Sequence, residues 1–365
     1  MTDIILTEIK NGIGNITLNS PKSLNSLSLE MAHALNSKLS EWRTKSDIYC
    51  IFLQGQERAF CAGGDIRKLY HSLKKNENGK ISQEALEFFI QEYTLDYSIH
   101  TYPKPIVVWG DSIVMGGGIG LMVGASHRVV TERSKLAMPE ITIGLYPDVG
   151  ATWFLNRMPD GWGDYFGLTG ARMNAQDAIY LGLADYLLES DSKEAVLEKM
   201  MSVHWDHDVQ KNKATITGIL KTMKSPSQVS QVLERASFAK KLALNKSVKE
   251  FIELLSTESK TDEWIAEGFK TFKAGSPTSA MVIFEQLRRG KHLNLEQVFC
   301  FELNLSVHFS QNPDFPEGVR ALLVDKDLNP KWQPATIDEV TSLSVETYFT
   351  QVWNPLDHPL KSFIC

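Results

Sequence analysis

Two glycine runs and two carboxylates are the groups in this sequence with chemical potential. Gly63-Gly64-Asp65 follows Ala59-Phe60-Cys61-Ala62, and Gly116-Gly117-Gly118 follows Met115. Adjacent glycines let a backbone turn sharply and approach a ligand closely. Two backbone N–H groups converging on one point form an oxyanion hole, which stabilises an acyl carbonyl as it gains negative charge. A helix starting at the second run adds its dipole. Glu140 and Asp148, eight positions apart in the run Met138 to Gly150, supply carboxylates for acid–base or nucleophilic work. The combination reads as an acyl-thioester site.

Each feature also has a plainer reading. The 63–64 pair alone is an ordinary strand–helix turn. Glu92, beside an apolar helical stripe, alone is a solvated flank residue. Asp148 alone is a helix N-cap before Val149.

Several other chemistries find no pattern here. There is no Gly-x-Ser-x-Gly elbow and no Gly-x-x-x-x-Gly-Lys-Ser/Thr loop. Gly12-x-Gly14 and the triple glycine both fail to complete Gly-x-Gly-x-x-Gly, so a dinucleotide site is poorly supported. Cys50, Cys61, Cys300 and Cys365 never form Cys-x-x-Cys, which argues against zinc and against a disulfide framework. His204 and His207 are spaced without further ligands. A net charge of −6 gives no reason to expect nucleic acid as a partner. Met1-Thr2-Asp3-Ile4 has no basic region ahead of an apolar run, so no signal peptide is expected. With reduced cysteines, the expected location is cytoplasmic.

The elements that hold these residues follow from periodicity. Ile4 to Ile9 and Ile13 to Leu18 read as strands about an Asn11-Gly12 hairpin turn. Ser28 caps a helix with Leu35, Leu39 and Trp42 on one face. Ile48 to Leu53 is a buried strand leading to the first glycine turn. Leu73 to Lys80 reads as a polar loop, and Ser82 caps a helix with Leu86, Phe89, Ile90, Tyr93 and Tyr97 on its buried stripe. Pro105 to Ala125 is nearly as long as a membrane span and carries one charge, Asp111. Its six glycines favour a buried strand, a turn and a buried helix. Val129-Val130 and Leu136 to Met138 are short strand candidates. Helices are expected after Asp148 and between Gly170 and Gly182. Beyond Ser190 long helical patterns take over, such as Val232 to Leu255 and Leu295 to Phe309. The expected organisation is a core over 1–190 and a mainly helical region over 191–365.

Phe60-Cys61-Ala62-Gly63-Gly64-Asp65-Ile66, Gly116-Gly117-Gly118 and Pro139-Glu140 resemble the crotonase (enoyl-CoA hydratase/isomerase) superfamily. Within it, Met-Pro-Glu…Gly-Leu-x-Pro-Asp-Val-Gly at Met138 to Gly150 resembles the 3-hydroxyisobutyryl-CoA hydrolases. Ser276-Pro277-Thr278-Ser279, Phe315-Pro316-Glu317-Gly318-Val319-Arg320-Ala321 and Asp325-Lys326 resemble their C-terminal signature. The resemblance implies an α/β fold, a crotonase-like spiral of strand–strand–helix turns with a helical C-terminal region. It carries the two oxyanion donors to the N–H groups of Gly64 and Gly117. It carries the family carboxylates to Glu140, Asp148 and Glu92, and lays coenzyme A along Gly63, Gly64, Asp65 and Ile66.

The implied reaction is hydrolysis of 3-hydroxyisobutyryl-CoA to 3-hydroxyisobutyrate and free coenzyme A, a step of valine breakdown. 3-Hydroxypropionyl-CoA is a second candidate substrate. Coenzyme A enters as part of the substrate, with no separate cofactor or metal expected. Glu140 acts as general base on water or attacks the thioester itself, and Asp148 binds the 3-hydroxyl or places water. Gly120 departs from hydratases, which carry a Glu there. The alternatives are an enoyl-CoA hydratase or isomerase of the same fold, or a non-catalytic relative. No membrane partner is expected. The oligomeric state stays open between a trimer and a chain whose C-terminal helices cover the same surface.

Overall fold

A computed structural model describes residues 3–74, 80–159 and 161–363. The chain divides into two compact units that interleave along the sequence. The first comprises Met1–Gly64, Thr94–Leu136 and Met173–Glu234, and the second Asp65–Tyr93, Ala137–Arg172 and Arg235–Cys365. Residue 190 lies within the last segment of the first unit. The expected loop Leu73 to Lys80 falls largely on residues 75–79, outside the described residues.

The first unit holds the sheets. β1 (Ile5–Lys10) and β2 (Ile13–Leu18) form the expected hairpin, turned by Asn11 and Gly12, both at positive φ. β3 (Cys50–Gly55), β5 (Ile106–Gly110), β7 (His127–Thr131) and β10 (Tyr186–Leu188) continue the sheet in parallel, in the order β1-β2-β3-β5-β7-β10. β4 (Ala59–Cys61), β6 (Ile113–Met115), β8 (Lys135–Ala137) and β9 (Met173–Asn174) form a second sheet in the order β4-β6-β8-β9. Three passes of the chain, β3–β4, β5–β6 and β7–β8, thus lay one strand in the large sheet and one in the small sheet before helical structure follows. That repeat is the spiral of strand–strand–helix turns.

The parallel strands β3, β5 and β7 of the large sheet are rich in apolar residues and almost wholly buried, as parallel strands usually are, while the edge strand β1 is mostly exposed. Phe52, Val107, Trp109 and Val129 pack against Val196 and Met200 of the helix Lys193–Met201, and against Ile216 and Leu220 of the helix Val209–Lys221. The stretch Pro105 to Ala125 is strand, turn and the buried helix Gly117–Val123, as its glycines implied. Among the described residues no helix is long and apolar enough to cross a membrane.

The second unit is helical. Trp162, Tyr165 and Phe166 of the helix Trp162–Thr169 pack against Phe238 and Trp264 at centroid separations of 5.0–6.1 Å, edge to face except for Tyr165 stacked on Trp264. The helix Leu295–Gln311 matches expectation. The continuous helix expected over Val232 to Leu255 does not form. It is replaced by Gln231–Glu234, Ala236–Leu242 and Val248–Glu258. Arg235 leaves helical geometry at the border of the two units, its guanidinium bonded to Asp262 at 2.7 Å. Ser247, in extended conformation, caps the third piece by accepting from Glu250 N–H. Apolar periodicity alone runs through both breaks, which is why it misleads here.

Two C-terminal segments fix the turn Glu140–Ile143. Ser276 N–H donates to the Ile141 carbonyl, and the Ser276 hydroxyl both caps the helix Pro277–Gly290 and donates to Asp314 at 2.7 Å. Asp314 opens the helix Asp314–Val319, whose Gly318 lies against Ile143. A Cβ on Gly318 would stand 2.4 Å from the Ile143 carbonyl carbon, which is backbone and cannot swing aside. Gly318→Ala is therefore expected to destabilise the protein by about 1–3 kcal/mol, the scale of overpacking. Urea unfolding read by tryptophan fluorescence checks this, and an unchanged midpoint would exclude the contact.

Candidate active site

The sequence-derived site residues fall in two groups, one in each unit. Gly63, Gly64 and Gly117 belong to the first, and Asp65, Ile66, Glu92, Glu140 and Asp148 to the second.

In the first unit both glycine turns follow strands of the small sheet. Gly63 has φ +96°, and a Cβ placed on it would lie 3.1 Å from the Met115 carbonyl oxygen and 3.6 Å from Gly117 N. The two turns are therefore packed directly on each other. Gly118 completes the contact, since a Cβ there would meet the Cys61 carbonyl oxygen at 2.3 Å. Leu27 N–H donates to the Gly63 carbonyl at 2.8 Å, strapping the turn through the residue before Gly64. Gly117 is the first residue of its helix, so its N–H has no intrahelical acceptor. The cradle uses backbone alone.

In the second unit Asp65 caps the helix Ile66–Leu73, accepting from Lys68 N–H at 3.2 Å. Glu92 is buried on the helix Gln83–His100, whose residues up to Tyr93 belong to this unit. It is not the solvated flank residue that its place beside the stripe suggested.

Glu140 is buried, and its Oε2 takes no hydrogen bond among the described residues. Burial and then the Asp148 charge push its carboxyl well above the usual carboxylate range. Asp148 is also buried, and burial raises it to about 6, against the lowering effect of the Tyr93 hydroxyl. Two carboxyls that repel in a desolvated site titrate as a pair, and the first proton lost makes the second harder to lose.

Asp148 does not cap the helix Ala151–Leu155. Val149 has φ +54° and Gly150 φ +86°, and Gly150 is the N-cap. A β-branched residue in that region is strained by about 1–3 kcal/mol. The turn is held by residues far along the chain. Glu302, on the helix Leu295–Gln311, accepts from Gly150 N–H at 2.7 Å and Thr152 N–H at 2.8 Å, taking the capping role. Gln286 donates to the Pro147 carbonyl at 2.7 Å and to the Thr152 hydroxyl at 2.8 Å. Tyr93 Oη lies 2.7 Å from Asp148 Oδ2 and 2.6 Å from Ser306 Oγ.

The sequence reading missed Glu302, Ser306 and the role of Tyr93. Glu302 had one visible signal. It sits at helical spacing from Phe299 and Phe309, on a stripe that is otherwise apolar, where a lone carboxylate is unusual. Among the described residues no cluster of three or more His, Cys, Asp or Glu side chains could hold a metal.

A spiral of strand–strand–helix turns, with a glycine amide cradle and a buried carboxyl pair, defines an acyl-CoA class of fold. The chain matches the enoyl-CoA hydratase/isomerase family over residues 13–349, and it belongs to that family. Within the family it is 38% identical over 360 residues to the mitochondrial 3-hydroxyisobutyryl-CoA hydrolase of Dictyostelium discoideum, covering 97% of this chain and 93% of that one. It is 36% identical to the mitochondrial 3-hydroxyisobutyryl-CoA hydrolase of Xenopus tropicalis, covering 93% and 87%. Among solved structures, a carnitinyl-CoA dehydratase from Mycobacterium thermoresistibile is 34% identical with a TM-score of 0.86, covering 96% of this chain and 97% of that one. An enoyl-CoA hydratase from Rhodobacter sphaeroides is 28% identical with a TM-score of 0.83, covering 96% and 98%.

These relatives correct the expected cytoplasmic location. The Dictyostelium and Xenopus proteins are named as mitochondrial, which points away from the cytoplasm. Cysteine spacing without a disulfide framework argues only against an oxidising compartment, and a reducing interior is not peculiar to the cytoplasm.

Burial raises Glu302 to about 8, against the lowering effect of the Thr152 and Gly150 donors. The native state then keeps a proton that the unfolded chain has lost above about pH 4.5, so stability falls as pH rises towards 8. Glu302→Gln removes that dependence. The variant is expected to gain on the native protein by several kcal/mol across this window, at about 1.4 kcal/mol per pKa unit. Urea unfolding of both proteins at a series of pH values measures the difference, and parallel profiles would count against the shift.

Proposed function

We propose that this protein hydrolyses 3-hydroxyisobutyryl-CoA to 3-hydroxyisobutyrate and free coenzyme A. The observation that carries the reading is Glu140, a buried carboxyl with an unpartnered oxygen, held in a turn braced by the C-terminal signature residues Ser276 and Gly318. Identity of 36–38% over nearly the whole chain to hydrolases of that name supports the substrate.

The amides of Gly64 and Gly117 stabilise the thioester oxygen as it becomes negative. Glu140 takes a proton from the attacking water, or attacks the carbonyl carbon itself to give an anhydride that water opens. The sulfur leaves as thiolate, since a thiol with pKa near ~8.5 needs little help from an acid. Asp148 and Glu92 hold the acyl end, Asp148 at the 3-hydroxyl. Gly63, Asp65 and Ile66 line the course of coenzyme A, which enters as substrate. The acid released is the one formed in valine breakdown.

The lyase reading stays in view because of the shape shared with the dehydratase and the hydratase. Hydration asks for two groups to handle a water proton and a carbon proton. Gly120, buried in the helix Gly117–Val123, supplies no such group.

Release of free thiol from 3-hydroxyisobutyryl-CoA, with no enoyl product, is the expected result of a direct assay. Glu140→Gln is expected to lower turnover about 10²–10⁴-fold, the range for a lost general base. Native-like activity in that folded variant would remove Glu140 from the chemistry. Asp148→Asn is expected to narrow the preference for 3-hydroxyacyl over plain acyl thioesters, since a site built around a hydroxyl discriminates against its absence. An unchanged ratio of kcat/KM values would assign Asp148 to another task.

A further inference from the structure

Asp148 ends a chain of short oxygen–oxygen contacts. Its Oδ2 lies 2.7 Å from Tyr93 Oη, and Tyr93 Oη lies 2.6 Å from Ser306 Oγ. Ser306 Oγ lies 2.8 Å from Tyr146 Oη, which donates to the Glu302 carbonyl at 2.5 Å. Tyr93 and Tyr146 are 3.4 Å apart, too far to replace any of these links. All four residues are buried.

Each contact at these distances needs one hydrogen between its oxygens. There are four contacts, and the three hydroxyls of Tyr93, Ser306 and Tyr146 bring only three hydrogens. A backbone carbonyl brings none. If Asp148 is ionised, one contact joins two bare oxygens in a desolvated site.

We propose that Asp148 supplies the missing hydrogen and rests as a neutral acid, its proton directed at Tyr93. The chain then runs one way, Asp148 to Tyr93 to Ser306 to Tyr146 to the Glu302 carbonyl, and every hydroxyl donates once and accepts once. No covalent bond between heavy atoms changes, and one proton is gained or lost at Asp148 alone.

The groups facing Asp148 agree with this arrangement. They are Tyr93 from the helix Gln83–His100, Tyr146 from its own loop, Glu140 from the turn Glu140–Ile143, and Glu302 and Ser306 from the helix Leu295–Gln311. Both charged neighbours are carboxyls, and neither favours a second anion. Donation from Tyr93 is the leading influence that lowers Asp148. With the Tyr93 hydrogen directed to Ser306, that influence is lost, and Asp148 keeps its proton above pH 6. The inference rests on the proposed hydrolase reading for its consequence. Asp148 then has its one hydrogen committed to Tyr93, so its Oδ1 is left to accept from the acyl hydroxyl, and Glu140 is spared the charge of a neighbouring anion.

Hydrogen counting gives a test that tyrosine or serine packing alone does not imitate. Ser306→Ala removes one hydrogen and two contacts, so two contacts remain for two hydrogens, and Tyr93 is free to donate to an ionised Asp148. Tyr146→Phe leaves the same balance. Tyr93→Phe instead removes the partner of Asp148 and leaves its carboxyl buried alone.

The readout is the infrared band of a protonated carboxyl in the full-length, ligand-free protein, titrated across neutral pH. The Asp148 component of the band, identified by its loss in Asp148→Asn and its retention in Glu302→Gln, which removes the second protonated carboxyl, is expected in the native protein. It is expected to titrate about one pKa unit or more lower in Ser306→Ala and Tyr146→Phe, the scale of one hydrogen bond. It is expected to persist in Tyr93→Phe, and Ser306→Thr is expected to restore the native titration. A band that survives Asp148→Asn and disappears in Glu140→Gln overturns the proposal, as do equal titrations in all the chain variants. If Ser306→Ala does not fold, Tyr146→Phe decides the same point. The measurement uses no substrate. Absence of thiol release with these band shifts would overturn the hydrolase reading alone, and thiol release without them would overturn the proton assignment alone.

Discussion

Carboxyl groups brought out of water side by side are the constraint around which the second unit is built. Burial opposes the charge of Glu140, Asp148 and Glu302, and an ionised Asp148 would raise the other two further. The structure sets hydroxyls and backbone amides against them. Tyr93, Ser306 and Tyr146 serve Asp148, while Gly150 N–H and Thr152 N–H serve Glu302. Such partners relieve part of the desolvation cost without pinning a carboxyl in its ionised form, as a paired arginine would.

This constraint also gives three helices after residue 276 a shared task. Helix Pro277–Gly290 supplies Gln286 and is capped by Ser276, helix Leu295–Gln311 supplies Glu302 and Ser306, and helix Asp314–Val319 supplies Asp314 and Gly318. Each holds part of the segment from Glu140 to Thr152. Val149 cannot rest at φ +54° unaided, so a scaffold that fastens Pro147, Gly150 and Thr152 from two helices is what keeps Asp148 where it is. The first unit solves a different problem. Its amide cradle needs no side chain, only two strand ends brought together closely enough that Gly63 and Gly118 have no room for a Cβ.

That difference decides what could be read from the sequence. The hairpin at Asn11-Gly12, the Ser28 cap and the two glycine turns are local, and their residue types state their geometry. The carboxyl network is not local. Tyr93 reads as one member of an apolar stripe, and its contacts with Asp148 and Ser306 span 55 and 213 residues. Glu302 reaches Gly150 across 152 residues. Asp148 looked like a cap because a carboxylate before a helix usually is one, and only the distant Glu302 shows that the position is taken. Periodicity erred over Val232 to Leu255 for a related reason. The breaks at Arg235 and Ser247 come from a salt bridge and a capping bond, which leave the spacing of apolar residues untouched.

The carboxyls that the second unit holds also bear on the kind of reaction. A second carboxylate at Gly120 would place another charge in a helix that is buried along its whole length. Burying an unpaired anion costs several kcal/mol in a low-dielectric interior. Addition of water to a carbon–carbon double bond needs such a group, because two protons must be managed at once. Cleavage of a thioester does not, because the departing thiolate is a stable anion and one carboxylate is enough to deliver water. A site that already holds Glu140, Asp148 and Glu302 with hydroxyls and amides as their partners is therefore better matched to the reaction with the smaller proton inventory.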